Sequence, residues 1–265
     1  MIKNITSTQN TYIKELIQLR DKSRERKKTG TFIIEGLREI NLATRGNFTI
    51  KTILICFDFF DKDQLSDFLE QGIDCIEISK EIYQKLAYRS TTEGIIAVAR
   101  SKKNNLESLS FSSKNPFIVI AEAPEKPGNI GALLRTADAA NVDAVIIANP
   151  KTDLYNPNII RSSVGCVFTN QIATGTTLDI ISFLKEKNIN IYCAILQEAV
   201  QYNTQDYNQA TAIVVGTEAV GLSEEWRKNS KQNIKIPMQG AIDSMNVSVA
   251  AGILIYEVKR QRNFK

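Results

Sequence analysis

Three segments in the C-terminal half of the chain place polar side chains where a strand should end and a helix begin. They are residues 124–135, 215–223 and 236–250. Each follows a short β-branched run and carries Gly or Pro where the backbone must bend. Open α/β sheets bind ligands at the carboxyl ends of neighbouring strands, so three such loops predict one shared pocket.

The first segment holds Asn129 at the expected start of a helix and Arg135 further along it. A helix cap is the ordinary explanation for Asn129. Arg135 is surrounded by Leu and Ala residues, so its guanidinium is expected to need an anionic or polar partner. The spacing of the glycines matches neither a dinucleotide-binding fingerprint nor a phosphate-binding loop, which disfavours a dehydrogenase or other nucleotide-cofactor enzyme.

The second segment follows a strand expected over residues 211–215. Gly216, at the end of that strand, lets the backbone approach a ligand closely. Glu218 lies two residues after Gly216 and has several possible roles. It could stabilise the loop, hydrogen-bond a substrate or hold Arg135, and a purely structural carboxylate is the commoner outcome.

The third segment leaves its strand at Ile236 and reaches the last predicted helix through Ser244, Met245 and Asn246. Ser244 and Asn246 are common helix-capping residues, and capping explains them about as well as function does. Capping does not explain why two small polar residues flank a methionine. A soft apolar side chain at that place could line an adenine pocket.

Composition narrows the classes of chemistry that these loops could perform. The chain has 265 residues, 43% of them hydrophobic and 23% charged, with a net charge of +4. No apolar run approaches the roughly 20 residues of a membrane span, and residues 1–10 lack the apolar core of a signal peptide, so we expect a cytoplasmic protein. The chain has no histidine, which disfavours a metal-dependent hydrolase and leaves no metal site to predict.

The order of predicted elements indicates two α/β domains. Residues 1–100 alternate strands and helices, residues 101–115 are a polar linker, and residues 116–265 resume the alternation. Alternating strands and helices favour a mostly parallel sheet covered on both faces. Among the expected elements are an amphipathic helix over 7–28 capped by Ser7, a helix over 157–164, a strand over 167–172 and a mostly buried final helix over 246–262.

A basic stretch in the first domain suggests a polyanionic partner. Arg24, Arg26, Lys27 and Lys28 lie within five consecutive positions. Clustered cations are the electrostatic signature of nucleic-acid binding. A solvated helix face explains the same pattern equally well, so both interpretations stay open.

Taken together and in this order, the three segments resemble the motifs of the SpoU/TrmH branch of the SPOUT RNA methyltransferases. The matching patterns are NxGxxxR at 129–135, GxExxGL at 216–222, and IPM followed by SxNVSVA within 236–250. The resemblance is strong over residues 116–262. Residues 1–100 are similar, more loosely, to the small substrate-binding domain resembling ribosomal protein L30e.

This resemblance implies an α/β fold with a deep trefoil knot, a homodimer packed through the knotted region, and S-adenosylmethionine as the cofactor. It implies ribose 2′-O-methylation of RNA, with 23S ribosomal RNA preferred. The motif positions imply a catalytic set of Asn129, Arg135, Glu218, Ser244 and Asn246, and cofactor-binding residues Gly216, Ile236, Met245 and Leu196, the last at the end of the preceding strand.

The family suggests Arg135 as the proton acceptor. Because a guanidinium seldom loses its proton, we expect Arg135 instead to grip a phosphate and stabilise the developing alkoxide. Two alternatives stay open: a methyltransferase acting on transfer RNA, and a non-catalytic RNA-binding protein of the same fold.

Overall fold

A computed structural model describes residues 3–65, 68, 72–89, 93–217, 221–242 and 244–264. The chain divides into two units that are not consecutive halves of the sequence. The first unit comprises Met1–Lys102 together with Asp153–Thr169, and the second comprises Lys103–Thr152 and Asn170–Lys265. The sequence did not predict that residues 153–169 return to the first unit.

The described strands are β1 Lys3–Ile5, β2 Thr31–Glu35, β3 Ile50–Ile55, β4 Asp74–Ile78, β5 Ile95–Arg100, β6 Phe117–Glu122, β7 Ala144–Ala148, β8 Ile172–Gly175, β9 Asn190–Ala194, β10 Val200–Gln201, β11 Thr211–Val215 and β12 Gln232–Lys235. The described α-helices are α1 Thr11–Asp21, α2 Ser23–Thr29, α3 Leu37–Arg45, α4 Lys80–Leu86, α5 Pro127–Ala139, α6 Pro157–Ser162, α7 Thr177–Glu186, α8 Glu224–Asn229 and α9 Val247–Gln261. Within the described part of the chain, no helix has both the length and the apolar character that crossing a membrane requires.

The first unit contains a five-stranded mixed sheet in the order β1-β4-β3-β5-β2. Strand β5 runs antiparallel to both of its neighbours, whereas β1, β4 and β3 are parallel. Residues 153–169 complete the apolar core of this unit. Phe32 of β2 stacks on Tyr155 with ring centroids 4.2 Å apart and on Phe168 at 5.9 Å.

The second unit contains a seven-stranded sheet in the order β10-β12-β9-β11-β6-β7-β8, parallel at each described pairing. Its central strands are runs of β-branched residues buried on both faces, as in a parallel sheet covered by helices. The mixed α/β class with a mostly parallel sheet is therefore confirmed. Because the strands are parallel, the loops after β6, β9, β11 and β12 leave from the same edge.

Two expected elements are wrong. The helix over 7–28 is two helices, because Lys22 is extended (φ −113°, ψ 114°) and the buried Arg26 donates hydrogen bonds to the carbonyl oxygens of Leu19 and Arg20 at the end of α1. Asn10, not Ser7, caps α1.

The strand expected over 167–172 is also absent: these residues form turns before β8 begins at Ile172. Val167 and Phe168 are apolar because they are buried in the first unit, and they do not belong to a strand. The described final helix starts at Val247 and its inner face is buried as expected, while Val249 and Tyr256 are exposed.

Candidate active site

A cavity of about 380 Å³ lies at the carboxyl ends of β9, β11 and β12 in the second unit. The ends of these strands and the loop before α9 form its wall. Four residues expected from the sequence to hold a cofactor are in this wall: Leu196, Gly216, Ile236 and Met245. Ser244, from the predicted catalytic set, lines the same cavity.

Position 216 needs a glycine, because the backbone of Gly221 and Leu222 passes too close to leave room for a side chain. A Cβ atom at this position would lie 2.3 Å from the carbonyl carbon of Gly221 and 2.7 Å from the amide nitrogen of Leu222. Thr217 and Gly221 form an isolated antiparallel bridge, in which the Gly221 amide donates to the Thr217 carbonyl oxygen at 3.0 Å. The backbone at Gly221 and Leu222 therefore lies directly against Gly216 in the cavity wall. Glu218, in the same loop, lies outside the described residues.

A side-chain hydrogen bond joins the first motif to the third. The Asn246 amide nitrogen Nδ2 donates to Asn129 Oδ1 at 3.1 Å. Asn246 also caps α9, since its Oδ1 accepts from the Ser248 backbone amide at 3.0 Å. Asn129 is not a cap: α5 begins at Pro127, with Lys126 at the N-cap position. The side chain of Asn129 is therefore used for contact across the site.

Arg135 lies on the exposed face of α5. Leu133, Leu134 and Ala137 are buried on the opposite side, so Arg135 is not enclosed by its apolar neighbours, and its need for an anionic or polar partner stays a prediction. Among the described residues, no carboxylate lies within ion-pair distance of its guanidinium. Its guanidinium is exposed, and its planar fork of donors can reach an anionic ligand.

Comparison with known proteins identifies the family. Residues 116–256 match the model of the SpoU rRNA methylase family, and residues 10–97 match the MRM3-like substrate binding domain. The first match alone covers more than half of the chain. The chain belongs to the SpoU rRNA methylase family.

Full-length relatives agree with this assignment. The chain is 30% identical over 258 residues to the 23S rRNA (guanosine(2553)-2′-O)-methyltransferase RlmP of Bacillus subtilis strain 168, covering 97% of this chain and 100% of RlmP. The crystal structure of an RNA 2′-O ribose methyltransferase matches at 35% identity with a TM-score of 0.84, over 98% of this chain and 99% of that chain. An AdoMet-bound rRNA methyltransferase from Sinorhizobium meliloti matches at 25% identity with a TM-score of 0.89, over 98% of both chains.

Within the substrate-binding region of this SpoU methylase, the basic stretch separates into two kinds of residue. Arg24, Lys27 and Lys28 are exposed on α2. Arg26 is only 5% exposed, and its Nε and Nη2 atoms donate to the two carboxylate oxygens of Asp153 at 2.9 and 2.8 Å. Since Arg26 also binds two backbone carbonyls, its donors are occupied inside the unit. We therefore leave Arg26 out of the proposed RNA-contacting set.

Cys193 of β9 adjoins Ala194 in the cavity wall but is itself fully buried. Burial raises the pKa of its thiol to about 12, so the sulfur stays protonated at neutral pH. The thiolate is the nucleophilic form of cysteine. A buried, protonated thiol is a poor nucleophile, so Cys193 is not among the candidate catalytic residues.

Sequence reasoning missed three charged residues of this region. Arg227 of α8 and Lys235 of β12 are exposed and line the cavity. Glu122, the last residue of β6, is buried beside the loop after β11. Its position at the end of a strand was the one available signal, since its hydrogen-bond partners are distant in sequence.

Proposed function

We propose that this protein transfers a methyl group from S-adenosylmethionine to a ribose 2′-OH of ribosomal RNA, with 23S RNA as the preferred substrate. The observation that carries the proposal is the Asn246–Asn129 hydrogen bond, because it brings the polar residues of the first motif beside the cavity formed by the other two. Relatives named as 23S rRNA 2′-O-methyltransferases support the choice of substrate.

The cavity fits the proposed cofactor. Its volume of about 380 Å³ is within the range of sites for small molecules. Ile236 and Met245 supply apolar contact for an adenine ring, Gly216 lets the backbone come close, and Leu196 closes another side. When bound, the sulfonium supplies an activated methyl group, so the protein must mainly position the reactants and assist the loss of one proton.

The remaining polar residues have separate roles in the proposal. Arg135 binds a phosphate of the RNA and stabilises negative charge as it develops on the ribose oxygen. Asn129, Asn246 and Ser244 orient the ribose at the edge of the cavity. Glu218, outside the described residues, is assigned to holding Arg135 or the target nucleotide.

The first unit selects the RNA in this proposal, through the exposed cations Arg24, Lys27 and Lys28. RNA affinity falls as salt rises, and each phosphate contact contributes about 0.7–0.9 to the steepness of a plot of log affinity against log salt. Replacing all three residues with Ala should make this plot less steep by about 2. Binding of RNA fragments measured across a salt series checks this. An unchanged affinity and slope would show that these residues are only a solvated helix face.

Arg26→Ala is the matched comparison from the same helix. Because it leaves the carboxylate of Asp153 buried without its partner, we expect a loss of about 3–5 kcal/mol in the free energy of unfolding. Once the protein is folded, the salt slope should stay at the wild-type value. A less steep dependence of RNA affinity on salt in this variant would show that Arg26 contacts RNA.

The proposal includes a homodimer packed through the last helix, together with the trefoil knot that the resemblance implies. Val249 and Tyr256 of α9 are 53% and 46% exposed, on a helix whose other face is buried, so they leave apolar surface uncovered. A second copy would cover them. A sedimentation mass near 29.6 kDa, that of one chain, would contradict the dimer. We also propose a cytoplasmic location, since that is where a protein acting on bacterial ribosomal RNA would meet its substrate.

Transfer of an isotopically labelled methyl group tests the proposed activity. Purified protein and labelled S-adenosylmethionine are incubated with 23S RNA or with transfer RNA, and the RNA is digested to nucleosides. We expect the label on the ribose of one nucleotide in 23S RNA. Label in transfer RNA would favour the alternative substrate. Binding of S-adenosylmethionine without transfer of the label to either RNA would favour the non-catalytic alternative.

A further inference from the structure

Glu122 is a buried carboxylate that connects several elements at the site edge of the parallel sheet. It is the last residue of β6 and is 7% exposed. Its Oε2 accepts from the backbone amide of Ser223 at 2.8 Å, and its Oε1 accepts from the Ser223 hydroxyl at 2.8 Å. Oε1 also accepts from the Thr177 hydroxyl at 2.8 Å. Both carboxylate oxygens thus act as acceptors, which compensates for the burial of the charge.

The bond to Ser223 is not an ordinary helix-capping arrangement. Ser223 occupies the N-cap position of α8, where a serine hydroxyl usually accepts a hydrogen bond from the first turn. Here the side chain makes no capping hydrogen bond and donates to Glu122 instead. The end of the loop after β11 is therefore tied to β6 by two hydrogen bonds to one carboxylate.

The two branches from Glu122 lead to different places. Ser223 directly follows Leu222, and the cavity wall contains Leu222, Gly221 and Gly216. The other branch passes through Thr177, at the start of α7, to Asn149, whose Nδ2 donates to the Thr177 hydroxyl at 2.9 Å. Neither Thr177 nor Asn149 lines the cavity.

We propose that Glu122 is a positioning residue for the cofactor: through Ser223 it fixes the adjoining Gly221 and Leu222, which form part of the cavity wall. The proposal rests on the proposed function, since it assigns that cavity to S-adenosylmethionine. The backbone at Gly221 has little room to shift, because it lies directly against Gly216. The Thr177 branch supports the fold without controlling the cavity.

Calorimetric binding of S-adenosylhomocysteine, with melting temperature measured in parallel, separates these roles. Ser223→Ala should weaken binding by about tenfold, the effect of losing one hydrogen bond to a charged group. Ser223→Thr retains the hydroxyl and should restore binding to nearly the wild-type value. Thr177→Ala removes a hydroxyl from the same carboxylate, so it should lower the melting temperature to a similar degree and leave the affinity unchanged.

Glu122→Gln should follow Ser223→Ala, since it removes the charge and one acceptor while keeping the shape. If that variant does not fold, the Ser223 pair and Thr177→Ala still decide the matter. Equal affinity for wild type and Ser223→Ala, or equal weakening by Ser223→Ala and Thr177→Ala, would overturn the positioning role. Failure of the wild-type protein to bind S-adenosylhomocysteine would instead count against the proposed function itself.

Discussion

Replacing Arg135 with Ala should reduce methyl transfer by at least about 100-fold, the usual scale for removing a group that stabilises charge in a transition state. The affinity for S-adenosylhomocysteine should stay within about threefold of the wild-type value, because Arg135 does not line the cavity. The reason is geometric: the guanidinium is exposed on α5, outside the cofactor site, where an RNA phosphate can reach it. Single-turnover transfer and calorimetry measure the two quantities independently.

Two further variants sharpen this test. Arg135→Lys retains the charge but loses the planar fork of donors, so it should recover only part of the activity. Arg260→Ala removes another exposed arginine of the second unit, whose one ion-pair partner among the described residues is Glu257 on its own helix, and should leave transfer unchanged. Lost cofactor binding in Arg135→Ala, or full activity in it, would contradict the assigned role.

Gly216→Ala should abolish measurable cofactor binding. The added methyl group would lie 2.4 Å from the carbonyl oxygen of Gly221 and 2.7 Å from the amide nitrogen of Leu222, which are backbone atoms that a side-chain rotation cannot move away. Forcing extra atoms into a packed site costs about 1–3 kcal/mol or more. Here the backbone of Gly221 and Leu222 would have to move, and both residues line the cavity. Calorimetry with S-adenosylhomocysteine, after circular dichroism has verified the fold, gives the measurement.

Gly128→Ala is the matched control, since Gly128 also belongs to a motif loop. A Cβ atom at position 128 would meet nothing within 4 Å, and the residue lies in the first turn of α5. Cofactor affinity should therefore stay at the wild-type value. If both glycine variants bound the cofactor equally well, the close approach at Gly216 would not be what shapes the site.

The sequence predicted that residues after neighbouring strands line one shared cavity, for a reason that lies in sheet geometry, and their binding of a cofactor stays a prediction. Leu196, Gly216 and Ile236 are far apart in sequence, yet each follows a parallel strand, so their neighbourhood follows from the shared carboxyl edge of the sheet. Met245 reaches the same cavity from the loop before α9. The predicted strand ends indicated a shared pocket, and the resemblance to the family supplied Ile236 and Leu196 as residues of it.

What could not be predicted depends on contacts distant in sequence. A run of cations does not reveal that Arg26 binds Asp153, which is 127 residues away. Nor does the apolar character of Phe168 reveal that it packs on Phe32, which belongs to the same unit but is distant in sequence. Glu122 is similar, since its partner Ser223 is 101 residues away and looks like a common helix cap in the sequence. Local patterns give the character of a side chain but not its partner.

The central claim is that a ribose 2′-OH accepts the methyl group, and an RNA lacking that one hydroxyl tests it most directly. Once the labelled nucleotide has been located, a fragment of 23S RNA carrying a 2′-deoxy substitution there is compared with the all-ribose fragment for binding and for transfer. The 2′-OH is the group by which proteins distinguish RNA from DNA at a single nucleotide. We expect the 2′-deoxy fragment to bind and to accept no methyl group. Transfer to it at the normal rate would place the methyl group elsewhere on the nucleotide and contradict the proposed function.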